Sequence, residues 1–142
     1  MIHFPKLLLL SLFLFAFTAC QQTNEQTESN QTETSINMLQ HTVYFYLNED
    51  VTDEEVAQFE EGLKDLVAIE TVYKSEIGVP GSTEDRDVTD HSFGYSIFTW
   101  FETMEDYDVY AEHPDHLEFI DNFSYLWADV KVYDSDIIYV SE

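Results

Sequence analysis

The sequence predicts one small α+β domain, in which a single sheet carries helices on one face. Three observations lead there. Stretches of period-two alternation and stretches of helical periodicity follow one another in the order β-α-β-β-α-β. These stretches fill about a hundred residues from Met38 onward, which is the size of one domain. Turn and cap residues stand at the junctions between them.

The first strand is read over Leu39–Leu47, with His41, Val43, Phe45 and Leu47 on one face and Thr42, Tyr44 and Tyr46 on the other. Thr52-Asp-Glu-Glu55 is a capping box, so a helix opens there, and Val56, Phe59, Leu63, Leu66 and Val67 follow at helical spacing. Ile69 to Ile77 reads as a second strand, closed by Gly78-Val-Pro-Gly81. The loop from Ser82 to Asp90 is polar and acidic. Phe93 to Phe101 reads as a third strand, with Phe93, Tyr95, Ile97 and Phe101 against Phe98 and Trp100.

Thr103 caps a helix containing Tyr107 and Tyr110. His113-Pro114 ends it, because the residue before proline is pushed out of the α region. Pro114 suits the first position of a further helix, expected to carry Leu117, Ile120, Phe123 and Trp127. Val130–Tyr133 is a last strand, and Ile137–Val140 adds an edge segment. This order suits a ferredoxin-like sheet with helices on one face. Strands one and three are aromatic on both faces, so the uncovered face must meet a second subunit or a ligand.

The residues before Met38 read differently. Lys6 gives a weakly positive start, and an apolar run from Leu7 to Phe17 leads to Thr18-Ala19-Cys20. That run is too short to cross a bilayer, which needs roughly 20 residues. It has the length of a signal-peptide core. Cys20 is the single cysteine, which excludes an intramolecular disulfide, and its setting resembles the bacterial lipobox. Phe17 stands where that motif usually has leucine. The resemblance implies acylation of Cys20 and an exported protein anchored to a membrane of the cell envelope. Residues 21–37, QQTNEQTESNQTETSIN, are too polar to build a core and read as a flexible tether. Such a tether would reach roughly 20–25 Å. The expected division is a signal peptide over 1–19, Cys20 and tether over 20–37, and the folded domain over 38–142.

The charge is far from balanced: 5 Lys and Arg stand against 29 Asp and Glu, a net charge of −24. Such a surface repels phosphates and anionic lipid heads, which argues against a nucleic-acid role. Solubility is the simplest reading of it. No phosphate loop, dinucleotide fingerprint or nucleophile motif is present, and no cofactor is expected.

The opening His41-x-Val-x-Phe strand, the Ile77-Gly78 turn, the Phe101-Glu-Thr step and Tyr110-Ala-Glu-His113-Pro-Asp-His116 together resemble the stress-responsive dimeric α/β-barrel (Dabb) family. The resemblance spans about Leu39 to Asp134, and the Y-x-x-H-P-x-H stretch is its most specific part. It implies subunits that pair sheet against sheet into a homodimeric barrel. Some plant members are polyketide cyclases in which the second histidine of the motif is the general base and its tyrosine orients the substrate. Carried over, His116 becomes the base and Tyr110 its hydrogen-bonding partner. His41 falls where family members line a cavity, and His113 joins it as a candidate ligand contact.

The same residues have plainer readings. A His-Pro-x-His at a helix start can cap the helix, Tyr110 can be a core ring, and His41 can be a satisfied core histidine. A helix first turn favours the neutral imidazole that a base must be, while surrounding acid favours imidazolium. His113 and His116 alone are too few for zinc. Glu84, Asp85, Asp87 and Asp90 lack the regular spacing of a calcium loop, and a solvated acidic loop is the reading preferred here. The expectation is a lipid-anchored dimer holding a small apolar or aromatic molecule near Tyr110, His113 and His116. A cyclase or lyase using His116 is the alternative.

Overall fold

The structure is a computed structural model and describes residues 37–141. The expected signal peptide, Cys20 and nearly all of the expected tether lie outside the described residues. The domain runs β1 (Leu39–Leu47), α1 (Asp53–Leu66), β2 (Lys74–Gly78), β3 (Tyr95–Phe101), α2 (Met104–Ala111), α3 (Pro114–Phe123) and β4 (Trp127–Asp136). A short 3-10 turn, Ser124–Leu126, joins α3 to β4. The four strands form one sheet in the order β2-β3-β1-β4, with every neighbouring pair antiparallel. This is the ferredoxin-like α+β fold.

Local chemistry places the helices. Thr52 accepts a hydrogen bond from the Glu55 N–H while the Glu55 carboxylate accepts from the Thr52 N–H, so both halves of the capping box form. Thr103 caps α2 through the Asp106 N–H. The core lies between the helices and one sheet face: Leu39, Val43 and Phe45 of β1 and Ile97 and Phe101 of β3 meet Phe59, Leu63 and Leu66 of α1, Tyr110 of α2 and Phe119 of α3. Phe45, Phe59, Phe119 and Trp127 have ring centroids within 5.2–6.2 Å of one another. Each such buried ring contributes on the order of 1.5–3 kcal/mol.

No helix of the described residues covers the opposite face of the sheet. Thr42, Tyr44, Ser96, Phe98 and Tyr133 line a concavity of about 710 Å³ there, together with Phe93. Tyr44 is its centre, with ring centroids of Phe93, Phe98 and Tyr133 at 5.0, 6.1 and 6.1 Å.

Several expectations are corrected. The second strand begins at Lys74 rather than Ile69, because Ile69 is a buried turn residue whose carbonyl accepts from the Val72 N–H. The third strand begins at Tyr95, and Phe93 lies with Tyr44 on the uncovered face rather than with Tyr95 and Ile97. The two-residue alternation that assigned it stops where pairing stops. On α3 the buried ring is Phe119, whereas Leu117 and Ile120 are 50% and 39% exposed. Trp127 belongs to β4, since the 3-10 turn ends the helix before it. β4 is longer than Val130–Tyr133, because an edge strand tolerates the flanking Asp129, Asp134 and Asp136 that hide it in the sequence. Ile137–Val140 forms no strand: Ile137 N–H reaches the Met38 carbonyl at 2.9 Å, and the next three residues are exposed.

Candidate functional site

Antiparallel register creates the first half of the site. His41 of β1 stands directly opposite Asp134 of β4 and opposite Thr99 of β3. Cross-strand partners share a face, so the His41 Nδ1 reaches Asp134 Oδ1 at 2.7 Å. A carboxylate oxygen only accepts, so Nδ1 carries the proton and the His41 Nε2 is left for other work. Thr99, fully buried, donates its hydroxyl to the His41 carbonyl at 3.1 Å and fixes the strand beneath the ring.

The second half comes from α2 and the start of α3. Tyr110 packs on Phe101 at 5.0 Å between ring centroids and on His116 at 4.7 Å. Tyr107 packs on Phe101 and on His41, both at 5.5 Å, and Tyr110 meets His41 edge-on at 6.1 Å. Two histidines and two tyrosines thus gather over β1 and β3. His116 points back across the α2–α3 junction, and its Nδ1 lies 3.0 Å from the Ala111 carbonyl oxygen. That carbonyl requires Nδ1–H, which leaves the Nε2 lone pair free in the neutral ring. Burial pushes the His116 pKa below the usual histidine value, only partly opposed by the Ala111 carbonyl, and His41 and His113 add to the depression. Desolvation therefore favours the neutral form.

Tyr110 is 1% exposed, and its hydroxyl has no hydrogen-bond partner among the described residues. Burial, and then Tyr107, holds its pKa far above the ordinary phenol value, so it is a proton donor at any physiological pH. Tyr107 is raised too, by burial first and then by the carboxylates of Asp134 and Asp108.

His113 is used differently. Its Nδ1 accepts the Asp115 N–H at 3.2 Å, which caps α3, and its Nε2 faces Glu70 Oε2 at 3.6 Å. The structure therefore brings His41, Tyr110 and His116 together and turns His113 toward the outer end of α1. Asp134 and Tyr107 were not singled out from the sequence. Asp134 lies 93 positions from His41, and only strand register joins them. Tyr107, one turn before Tyr110 on the same helix, was legible as a ring on the face of α2 that meets the sheet.

Two concavities stand out on the domain, and neither is lined by these side chains. One is the aromatic hollow on the uncovered sheet face, and the other lies between α1 and α3. The polar groups that converge lie instead beside His116. Among the described residues no three His, Cys, Asp or Glu side chains gather into a metal site. In the acidic loop, His91 bonds Asp85 and Thr83, and Ser92 bonds Asp90. No helix of the described residues is long and apolar enough to cross a membrane.

The family model of the stress-responsive A/B barrel domain matches residues 39–137, well over half of the chain. The chain belongs to the Dabb family. A Dabb protein of ferredoxin-like fold from Mesorhizobium loti is 25% identical to it, with a TM-score of 0.55 over 74% of this chain and 97% of that one. A dimeric ferredoxin-like protein from Thermobifida fusca is 20% identical, with a TM-score of 0.58 over 70% of this chain and 91% of its own. The hydroxynitrile lyase from Passiflora edulis shares the fold at 17% identity, with a TM-score of 0.63 over 75% of this chain and 99% of the lyase. Comparison with curated proteins gives no match.

Proposed function

We propose that this Dabb protein is a lipid-anchored homodimer that binds a small, largely apolar molecule at His41, Tyr110 and His116. The observation that carries the reading is the buried Tyr110 hydroxyl, which has no partner among the described residues. Leaving such a group unpaired costs about 1–3 kcal/mol, and a carbonyl or hydroxyl oxygen of a ligand would recover part of it. The surrounding rings of Phe101 and Tyr107 suit an apolar or aromatic body attached to that oxygen.

Dimerisation rests on the uncovered sheet face, where Tyr44, Phe98 and Tyr133 form an aromatic surface, and on the dimeric state given for the Thermobifida protein. Phe98→Glu would place a charge in that interface. Sedimentation should show a dimer for the wild type and a monomer for the variant; a wild type that stays monomeric at high micromolar concentration refutes the pairing. Anchoring rests on Cys20 after the apolar run, and the site of residence is then the cell envelope.

A second reading is favoured by one feature, the free Nε2 of a neutral His116 beside the Tyr110 ring. That is what a general base needs. In this reading the protein is a cyclase or lyase: His116 takes a proton from carbon, and Tyr110 donates to the oxygen on which charge develops. The Passiflora protein illustrates lyase chemistry on the same fold. A thermal-shift screen of aromatic and β-keto compounds, followed by turnover assays on each hit, separates the two. Binding without turnover supports the module. Turnover that falls roughly 10²–10⁴-fold in His116→Gln while affinity holds establishes the enzyme.

A further inference from the structure

Strand register sorts the charge of this domain onto its two sides. On the uncovered face of the sheet, Lys74 and Glu76 of β2 stand beside Trp100 and Phe98 of β3, because cross-strand partners share a face. Lys131 and Asp129 of β4 stand in the same way beside Tyr44 and Tyr46 of β1. Asp90 completes the rim of the hollow. The face therefore holds two bases against three acids. Its ammonium groups sit on its own rings: Lys74 Nζ lies 4.4 Å from the Trp100 ring centre and 2.9 Å from Glu76. Lys131 Nζ lies 4.4 Å from the Tyr46 ring centre. The helix side is the reverse, with six acids on α1, three on α2 and three on α3 against Lys64 alone. The chain has 29 acids and 5 bases, so everything outside the uncovered face holds 26 acids and 3 bases.

A second copy of this chain is therefore attracted at contact and repelled at a distance. Aromatic surface gains by leaving water, and the nearly neutral face brings little charge of its own against its twin. The helix layers repel, and geometry sets the range over which they do so. Two sheets packed face to face lie about 10 Å apart. Each outer helix surface stands a helix diameter, about 10–12 Å, beyond its sheet, so the two acidic layers are roughly 30 Å apart. The Debye length is about 30 Å at 0.01 M salt and about 8 Å at 0.15 M. Repulsion thus spans the pair in dilute salt and dies within it at moderate salt.

We propose that pairing through the uncovered face is controlled by ionic strength: the chain is monomeric in dilute salt and dimeric once salt screens its acidic helix layers. This control rests on the pairing proposed above and adds its regulation. The sign is diagnostic, because an interface held by ion pairs across it weakens with salt, whereas this one tightens.

Sedimentation equilibrium of the full chain in a non-ionic detergent, at about 0.01, 0.15 and 1 M sodium chloride, tests this. The dimer should tighten roughly tenfold or more between the first two concentrations and by less thereafter, once the Debye length is well below the span of the pair. Asp65→Asn, Glu118→Gln and Asp121→Asn together remove exposed charge from α1 and α3, on the side of the domain away from the pairing face. Only the long-range field links them to the interface. The triple variant should bind its copy roughly threefold or more tightly than wild type at 0.01 M and less than about 1.5-fold more tightly at 1 M. A dimer whose affinity is indifferent to salt, or falls with it, overturns the control and leaves the pairing standing. So does a salt response that is the same in wild type and triple variant, which identifies general salting-out of aromatic surface. A chain that is monomeric at all these concentrations overturns both.

Discussion

Tyr110→Phe should make the unliganded protein more stable. The change removes one oxygen from a ring packed against Phe101, His116 and His41, and it leaves the ring itself in place. Because the hydroxyl is buried without a partner, the wild type bears a desolvation cost of about 1–3 kcal/mol that folding does not recover. The lost dispersion contacts of one oxygen offset a few tenths of that. A net gain of about 1 kcal/mol is therefore expected, and in a domain of about a hundred residues this raises Tm by roughly 4–8 °C. The same variant should bind any ligand that accepts from Tyr110 about 2–10-fold more weakly, the share of one neutral hydrogen bond. Thermal melts of both proteins, at one fixed concentration because dimerisation shifts Tm, measure the first effect. A Tm that is unchanged or lower in Tyr110→Phe refutes the reasoning, since it means that the hydroxyl already has a partner in the unliganded protein.

His116 gives a pH dependence. Its folded pKa lies below the usual 6.5, so the unfolded chain binds its proton more readily, and stability falls as pH drops from 6.5 through the folded value. His116→Gln should flatten that part of the wild-type profile measured by urea unfolding; parallel profiles would contradict the assigned burial effect. Gly62→Ala gains helix propensity of about 1 kcal/mol but drives a methyl into the Phe123 ring, which is itself held by Phe59 and Phe119. The urea midpoint should fall with an unchanged slope, a net loss of about 1–2 kcal/mol, and a rise would show that the ring moves freely. Cys20→Ala should shift the protein from the membrane to the soluble fraction, and equal partition of the two forms rejects the anchor.

Much of the architecture is determined by short-range chemistry and is therefore legible along the chain. Thr52 and Glu55 cap each other three residues apart, Pro114 starts α3, and β1 alternates from Leu39 to Leu47 within the bounds that its sequence shows. The motif Tyr110 to His116 likewise sits on one helix junction, so Tyr110 and His116 are brought together by local geometry. Tertiary structure alone decided the rest. Whether Leu117 or Phe119 faces the core depends on the roll of α3 against Phe45 and Phe59, and both choices satisfy helical spacing. Phe93 was placed by where β3 stops pairing. Asp134 became the partner of His41 through the register of β1 and β4, and that register is set by the whole sheet closing over its core. Residue types along the chain show which side chains could do chemistry; packing selects which of them meet, because contact between distant residues is a property of the folded sheet and not of spacing.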